Sequence, residues 1–387
     1  MRAVVFGGWF GSGNLGDDAI LMGLRSALER VSPGVEIVAL STDPRHTRRV
    51  CGVDAIDLMS PRGFLGRGNA SFSAYMRTFK EADVCVVSGG TPIYDYGHIS
   101  RAFHFGFPLI NGTPLVCFGV GVKSVRSMLG SSSVRALLRG ARLVSARDVP
   151  SKDELARLGL SGVSVTGDSG LFLEPAGRDA ALDVLAESGV DTSRPMAAIC
   201  PRFLSSRHRG HFHDPLSPAE ISRIRQGVAG VADHLLKEGF EVVFLPFHRG
   251  PVDDDLVEIG EIAGMMVGSA PQVSGRSLLP GEALSVLGCM KLVFGLRLHS
   301  LIFAASQGVP VVGVDYDSKI GGFMELAGVG GCLCEVAGDP GSWVERVDTA
   351  LDEGDVLGHV GARSCCEMRE RILDEAGRVR DILEERR

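Results

Sequence analysis

The sequence predicts an α/β protein with two Rossmann-like, doubly wound domains that face a cleft. Three observations support this fold class. The chain has 387 residues, which is too long for one ordinary domain and suits two. Its short apolar runs lack polar alternation, as expected for parallel strands covered on both faces. Many of these runs end in glycine and lead into amphipathic segments, a pattern typical of strand-to-helix turns.

The first series of strands and helices occupies the amino-terminal half. Residues 3–7 are predicted as a strand that leads through a glycine-rich loop into a helix over residues 19–30. Further strands are predicted at residues 35–40, 83–90, 114–121, 142–146 and 162–166. The helix that follows Arg147 is predicted to have Ser151 as its N-cap and Glu154 as the capping-box partner. This series predicts an amino-terminal domain over residues 1–174.

The second series begins after a predicted hinge at residues 175–194, which contains a helix at residues 180–188. Strands are predicted at residues 195–200, 241–245, 291–294 and 309–314. Helices are predicted at residues 218–237, from residue 253 onward, and at residues 301–308 with Ser300 as N-cap and Gly308 at the end. The second domain is therefore predicted over residues 195–362, with a carboxyl-terminal helix over residues 363–387.

Composition and charge exclude several classes of protein. The net charge of −7 argues against general nucleic-acid binding. None of the nine cysteines forms a C-x-x-C pair, so reduced thiols are expected rather than a disulfide framework or a zinc motif. The chain enters a strand at once without a signal-peptide pattern, and no apolar run approaches the ~20 residues that span a bilayer. We therefore expect a cytoplasmic protein.

Four cationic residues follow predicted strands, namely Arg147, Arg202, Arg297 and Lys319. Open α/β sheets bind ligands at the carboxyl ends of their strands, and guanidinium groups bind carboxylates and phosphates bidentately. A surface ion pair would explain any single one of these residues, but the set of four favours a shared small polyanion. His299 lies two residues after Arg297 and adds a titratable imidazole to the same place.

The loop after the first strand contains the spacing G-x-G-x-x-G over residues 11–16, which is typical of dinucleotide sites. Asp17 and Asp18 follow it directly and would repel a pyrophosphate, so this interpretation is disfavoured. Asparagine and aspartate oxygens accept hydrogen bonds from hydroxyl groups, which suits a sugar better. The structural alternative is that one aspartate caps the following helix. The candidates for sugar contacts are Gly13, Asn14, Gly16 and Asp17.

Two long motifs make the chain similar to a known family. Residues 8–21, Gly-Trp-Phe-Gly-Ser-Gly-Asn-Leu-Gly-Asp-Asp-Ala-Ile-Leu, resemble the opening G-x-x-G-x-x-N-x-G-D-E-A-I-L of the polysaccharide pyruvyl transferase family, with Asp18 in place of the usual glutamate. Residues 297–310 resemble that family's R-x-H-x-x-I-x-A-x-x-x-G-x-P signature, and residues 315–320 resemble its Y-D-x-K stretch. The resemblance extends over nearly the whole chain.

The resemblance implies a GT-B-like enzyme of cell-envelope polysaccharide biosynthesis. Such an enzyme uses phosphoenolpyruvate as co-substrate, with no other cofactor and no metal, to form a pyruvyl ketal on a sugar or lipid-linked glycan acceptor. It then implies roles for the candidates: His299 and Arg297 in catalysis, Arg202, Lys319 and Arg147 in donor binding, and the residues of the glycine-rich loop in acceptor binding. A lipid-linked acceptor would bring the protein to the inner face of the membrane, with peripheral contact through the arginine-rich loop at residues 62–67.

Two other functions remain open from the sequence. A GT-B-like nucleotide-sugar glycosyltransferase or epimerase would share the two domains, and stabilisation by a UDP- or GDP-sugar would identify it. A non-catalytic glycan-binding protein would keep the fold without the chemistry. The joint presence of Arg297, His299 and Lys319 argues against this second alternative.

Overall fold

The computed structural model describes residues 1–59, 69–95, 98–205, 216–250, 253–268 and 277–385. The chain divides into two compact units. The first comprises Met1–Ser12, Asp17–Phe172 and Met368–Arg387, and the second comprises Gly13–Gly16 and Leu173–Glu367. Each unit carries a parallel β-sheet with helices between its strands. The predicted class of two Rossmann-like α/β domains is confirmed.

The elements up to residue 172 alternate regularly between strand and helix. In chain order they are β1 (Arg2–Gly7), α1 (Leu15–Val31), β2 (Glu36–Ser41), α2 (Pro44–Cys51), β3 (Asp54–Asp57), α3 (Asn69–Lys80), β4 (Val84–Ser88), α4 (His98–Asn111), β5 (Leu115–Val120), α5 (Met128–Arg139), β6 (Leu143–Ala146), α6 (Val149–Arg157), β7 (Ser164–Val165) and a 3₁₀ turn at Ser169–Phe172. The strand order is β3-β2-β1-β4-β5-β6-β7. The direction of winding therefore reverses between β1 and β4.

The core of the first unit explains why its strands could be predicted. Every residue of β4 and β5 is buried, so their apolar runs need no polar alternation.

Helix α2 and strand β3 were not predicted, because α2 has the polar sequence Pro-Arg-His-Thr-Arg-Arg-Val-Cys and buries only Thr47 and Cys51. It is held instead by its N-cap, Asp43, whose side chain accepts the N–H groups of Arg45 and His46.

The N-cap of α6 differs from the prediction of Ser151, which was wrong. Asp148 is the cap, and its carboxylate accepts the N–H of Ser151 at 2.9 Å. The Ser151 hydroxyl accepts the N–H of Val122 at 2.9 Å, and Glu154 accepts the N–H of Val125 at 2.7 Å. Both side chains are therefore engaged by the loop after β5, a tertiary contact that overrides the local capping pattern.

A buried histidine, His104, lies among aromatic residues in the first unit. Its Nδ1 is 2.7 Å from the Tyr75 hydroxyl, and its ring centroid is 6.5 Å from that of Phe6. Burial lowers the pKa of His104 to about 4. The folded protein therefore keeps this imidazole neutral at a pH where the unfolded chain would protonate it.

We expect acidification to destabilise the fold through His104. An unfolded histidine binds a proton near pH ~6.5, whereas folded His104 does so only near pH 4, so stability is lost as pH falls between these values. At the acid end of this pH range, the free energy of unfolding is lower by roughly 3 kcal/mol because of His104. Thermal unfolding across this range should show a shallower acid dependence for His104→Gln, which does not titrate, than for the wild type. Equal pH dependence in both proteins would contradict this expectation.

The second unit contains a five-stranded sheet. Its elements are, in chain order, α7 (Arg178–Glu187), β8 (Met196–Cys200), α8 (Pro218–Lys237), β9 (Glu241–Phe244), α9 (Asp255–Ala263), α10 (Pro280–Leu287), β10 (Leu292–Gly295), α11 (Leu298–Ser306), β11 (Val311–Asp315), α12 (Ser318–Leu326), a 3₁₀ turn at Gly330–Cys332, β12 (Leu333–Glu335), α13 (Gly341–Asp352) and α14 (Gly354–Glu384). The strand order is β12-β11-β10-β8-β9. Winding starts at β8 and reverses between β8 and β10.

The interval 175–194, for which we predicted a hinge, lies inside the second unit. Helix α7 packs against α10, and the N–H of Ala176 donates to the carbonyl of Gly281 at 3.0 Å. Helix α14 starts before the predicted residue 363 and belongs to the second unit up to Glu367 and to the first unit from Met368.

Membrane contact was predicted for the loop at residues 62–67, which lies outside the described residues. Of the helices in the described ranges, none is both long and apolar enough to cross a membrane.

Candidate functional site

The site in the second unit is built where β8 and β10 end side by side. Cys200 pairs with Gly295 in the β8–β10 register, and the N–H of Leu296 donates to the Cys200 carbonyl at 3.0 Å. Arg202 and Arg297 each follow two residues after this pair. Because winding reverses between these strands, their carboxyl ends form the topological switch point at which α/β sheets bind ligands.

Arg297 is almost fully buried and paired with a carboxylate. Its Nε donates to Oδ2 of Asp255 at 2.9 Å, and its Nη2 donates to Oδ1 of the same residue. Asp255 is completely buried. Such a bidentate pair fixes the plane and direction of the guanidinium group.

Asp255 is a residue of this candidate site that the sequence did not reveal. In addition to Arg297 it accepts backbone N–H groups from Phe203 at 3.0 Å and from Phe247 and His248 at 2.9 Å each. One carboxylate therefore ties together the chain segments that follow β8, β9 and β10. Acidic residues at the start of a helix are explained equally well by the helix dipole, and nothing local separates Asp255 from its two preceding aspartates.

Arg202 donates a hydrogen bond to a phenol that follows β11, two strands away from β8 in the sheet. Its Nη1 donates to the hydroxyl of Tyr316 at 2.8 Å, and that hydroxyl donates to the carbonyl of Leu296 at 2.8 Å. Burial raises the pKa of the Tyr316 phenol, which keeps it protonated and able to donate. The chain of hydrogen bonds joins the segments after β8, β10 and β11.

Lys319 lies in the first turn of α12, directly after β11. The side chain of the N-cap, Asp317, accepts the N–H of Lys319, and its Oδ2 is 3.6 Å from the Lys319 Nζ. The Lys319 side chain is 20% exposed, compared with 9% for that of Arg297. Lys319 is therefore the more accessible of these two cations.

His299 lies in the first turn of α11, because that helix starts at Leu298 rather than at residue 301. The prediction of Ser300 as N-cap was wrong: Arg297 occupies that position, and the Ser300 hydroxyl donates to the Arg297 carbonyl at 2.6 Å. The ring of His299 packs against Phe303, with centroids 6.2 Å apart. The helix start thus places an imidazole beside the paired Arg297.

The glycine-rich loop contributes directly to the surroundings of His299. A Cβ added to Gly16 would lie 2.0 Å from the Nδ1 of His299, so the absence of a side chain at residue 16 is required for the imidazole to occupy its position. The N–H of Gly16 donates to Oδ1 of Asn14 at 3.1 Å, which closes the turn. Gly13, with φ +85°, accepts the N–H of Arg249 at 3.1 Å through its carbonyl.

Three of the four predicted sugar-binding residues, Gly13, Asn14 and Gly16, belong to the second unit. The same unit contains His299 and the cations Arg202, Arg297 and Lys319. The remaining two candidates, Asp17 and Arg147, belong to the first unit.

In the first unit, Arg147 is buried between two carboxylates. Its Nε is 3.4 Å from Asp148 Oδ2, and its Nη1 is 3.4 Å from Asp168 Oδ2. A Cβ added to Gly121 would lie 2.8 Å from the Arg147 Nη2, so a glycine turn gives the guanidinium its space. The side chain of Asp17 is also largely buried.

A cleft of about 910 Å³ lies at the amino ends of the strands of the second sheet, at the end away from the switch point. Residues that precede strands line it, including Pro195, Lys291 and Pro310, and none of the predicted site residues does. It is therefore separate from the switch point. Within the described ranges, no three His, Cys, Asp or Glu side chains form a group that could hold a metal ion.

Comparison with known proteins identifies a matching family model and several solved structures with a similar fold. A family model described as polysaccharide pyruvyl transferase matches residues 14–318. Among solved structures, a glycosyltransferase from Rickettsia africae has a TM-score of 0.64 at 11% identity, covering 100% of this chain and 98% of that one.

Two further solved structures are similar. A putative UDP-N-acetylglucosamine 2-epimerase from Listeria monocytogenes has a TM-score of 0.59 at 13% identity, covering 93% of this chain and 90% of that one. The ADP-heptose heptosyltransferase II of E. coli has a TM-score of 0.51 at 15% identity, covering 91% of this chain and 99% of that one. At such identities the likeness shows the fold, and it confirms the predicted GT-B-like class.

Proposed function

The chain belongs to the polysaccharide pyruvyl transferase family, and we propose that it transfers the pyruvyl group of phosphoenolpyruvate to a sugar as a ketal, releasing phosphate. The acceptor is a sugar of a polysaccharide or of its lipid-linked precursor. The observation that carries the donor assignment is the register of β8 and β10, which sets Arg202 and Arg297 at adjacent strand ends with His299 in the next helical turn.

Phosphoenolpyruvate carries a phosphate and a carboxylate, so its binding requires several fixed cations. Asp255 orients the guanidinium of Arg297 and engages one N–H each of Nε and Nη2, so the N–H groups of Nη1 and the second N–H of Nη2 are left for the proposed donor contact. Tyr316 orients Arg202, and Lys319 supplies an accessible charge on the next strand end. In this proposal Arg202 and Lys319 bind the donor anion, and Arg147 remains a further donor-binding candidate of the first unit.

The proposed reaction begins with a proton transfer from His299 to C3 of phosphoenolpyruvate, which makes C2 electrophilic. A sugar hydroxyl attacks C2 and its proton returns to His299, the C2–O bond to phosphate breaks, and the cations stabilise the departing phosphate. A neighbouring hydroxyl then closes the cyclic ketal, and its proton leaves with the phosphate. The oxygen and backbone groups of Gly13, Asn14, Gly16 and Asp17 remain the candidates for acceptor contacts.

A phosphate-release assay in deuterated water tests this function. Phosphoenolpyruvate is supplied with a panel of hexose and N-acetylhexosamine glycosides, and products are examined by mass spectrometry. We expect phosphate release that depends on one class of acceptor, with a product whose ketal methyl group carries one solvent deuterium, because the acid delivers its proton to C3. Phosphate release without a pyruvylated product would contradict pyruvyl transfer.

The nucleotide-sugar alternative is favoured by the names of the structural neighbours, which include an epimerase and glycosyltransferases. Thermal-shift measurements separate it from the main proposal. Under the main proposal, phosphoenolpyruvate raises the unfolding temperature and UDP-N-acetylglucosamine does not. The reverse pattern would support the alternative.

A further inference from the structure

The first unit exposes a tryptophan at its own switch point. Gly7 pairs with Ser88 in the β1–β4 register, and Trp9 follows two residues after Gly7. Winding reverses between these two strands, so the loop that carries Trp9 lies where α/β sheets bind ligands. Trp9 is 43% exposed, whereas the following residue, Phe10, is completely buried.

The loop around Trp9 is held firmly from two sides. The carbonyl of Phe10 accepts the N–H and the hydroxyl of Thr42 at 3.0 Å each and the Ser41 hydroxyl at 3.1 Å. On the other side, a Cβ added to Gly89 would lie 2.4 Å from the Gly8 Cα, so the turn after β4 touches the loop after β1. Trp9 is therefore presented to solvent by a fixed backbone.

An exposed indole on a fixed backbone loses little conformational entropy when a ligand covers it. Single exposed apolar side chains are common and need no function, but this one stands at a ligand-binding edge rather than on a helix face. An indole offers a flat apolar face, which fits the C–H face of a pyranose ring.

A carboxylate at the turn after β4 favours a sugar over a nucleotide as the ligand. A Cβ added to Gly90 would lie 3.7 Å from Oδ1 of Asp17, so this carboxylate lies against the same turn after β4. A carboxylate accepts hydrogen bonds from sugar hydroxyls and repels phosphate. The combination favours an uncharged polyhydroxylated ring over a nucleotide.

We propose that Trp9 is the stacking platform for a pyranose ring of the acceptor, with Asp17 accepting hydrogen bonds from its hydroxyls. This inference rests on the proposed function for the identity of the ligand as an acceptor, and it assigns to the first unit a contact that does not involve the donor cations.

Tryptophan fluorescence tests the proposal directly, because the protein has only two tryptophans and Trp343 is completely buried. The full-length protein is titrated with methyl glycosides of glucose, galactose, mannose and their N-acetylamino counterparts, and separately with uridine monophosphate, while acrylamide quenching is measured. We expect at least one glycoside to protect Trp9 from acrylamide. The Trp9→Ala variant should retain only the emission of Trp343, which the glycosides do not change.

Kinetics provide the second readout. Trp9→Ala should raise the KM for the acceptor by roughly 10- to 100-fold and leave the KM for phosphoenolpyruvate unchanged, and Trp9→Phe should restore most of the acceptor affinity. Ile110→Ala, which removes an 80% exposed side chain on α4, serves as the matched control and should change neither value.

The outcomes separate the two proposals. Three results would overturn the proposal that Trp9 is a sugar-stacking platform. They are protection of Trp9 by uridine monophosphate but by no glycoside, absence of protection by any glycoside, and an unchanged acceptor KM in Trp9→Ala. Protection by a glycoside without phosphate release from phosphoenolpyruvate would leave the sugar platform standing and overturn the proposed reaction.

Discussion

Replacing His299 with alanine should lower phosphate release from phosphoenolpyruvate by about 10²–10⁴-fold, the usual contribution of a general acid. The reason is that protonation at C3 makes C2 electrophilic, and the other proton donors of the site (arginine, lysine and tyrosine side chains) are much weaker acids than an imidazolium. The measurement is steady-state phosphate release at saturating phosphoenolpyruvate and acceptor.

A lower rate in His299→Ala could come from a disturbed fold instead of the missing acid, because His299 packs against Phe303 and the backbone of Gly16. Added imidazole should restore part of the His299→Ala rate if the missing group is the acid. His359→Ala, an exposed histidine on α14, is the matched control and should keep the wild-type rate. A His299→Ala protein with a native unfolding temperature and an undiminished rate would rule out the assignment.

Replacing Asp255 with alanine should lower the free energy of unfolding of the second unit by about 3–5 kcal/mol, because it leaves the buried guanidinium of Arg297 without its counter-charge. The same change removes the acceptor of three backbone N–H groups, from Phe203, Phe247 and His248. We also expect phosphate release to fall, since Arg297 and three strand ends lose their common anchor.

The adjacent residue offers a control with the same chemistry. Asp254 is the N-cap of α9 and accepts the N–H of Leu256 at 3.0 Å. Asparagine is as good an N-cap as aspartate, and the partly exposed ion pair of Asp254 with Arg249 contributes little, so Asp254→Asn should lower the stability by less than about 1 kcal/mol. Urea unfolding of the two variants provides the comparison. An Asp255→Ala protein as stable as Asp254→Asn would show that the buried pair does not hold the site together.

The fold class, the location of most strands along the chain, and the placement of Arg202, Arg297, His299 and Lys319 after strand ends were all predicted from the sequence. These features are local. Parallel strands covered on both faces must be apolar throughout, and glycine marks the turns that follow them, so both can be recognised within a short window. The helix over Pro218–Lys237 was predicted with its observed bounds because its capping residues and its periodicity agree.

The partners of these residues could not be predicted, because they come from distant parts of the chain. Arg297 and Asp255 are 42 residues apart in the chain, and Gly16 and His299 are much farther apart, so neither contact leaves a trace in local spacing. Likewise Ser151 and Ser300 have the local signature of an N-cap, but a distant loop N–H engages the first, and the second lies inside the helix that Arg297 begins. Buried polar groups must find hydrogen-bond partners wherever the fold places them, and strand order, which brings distant segments together, is settled by the packing of the whole chain.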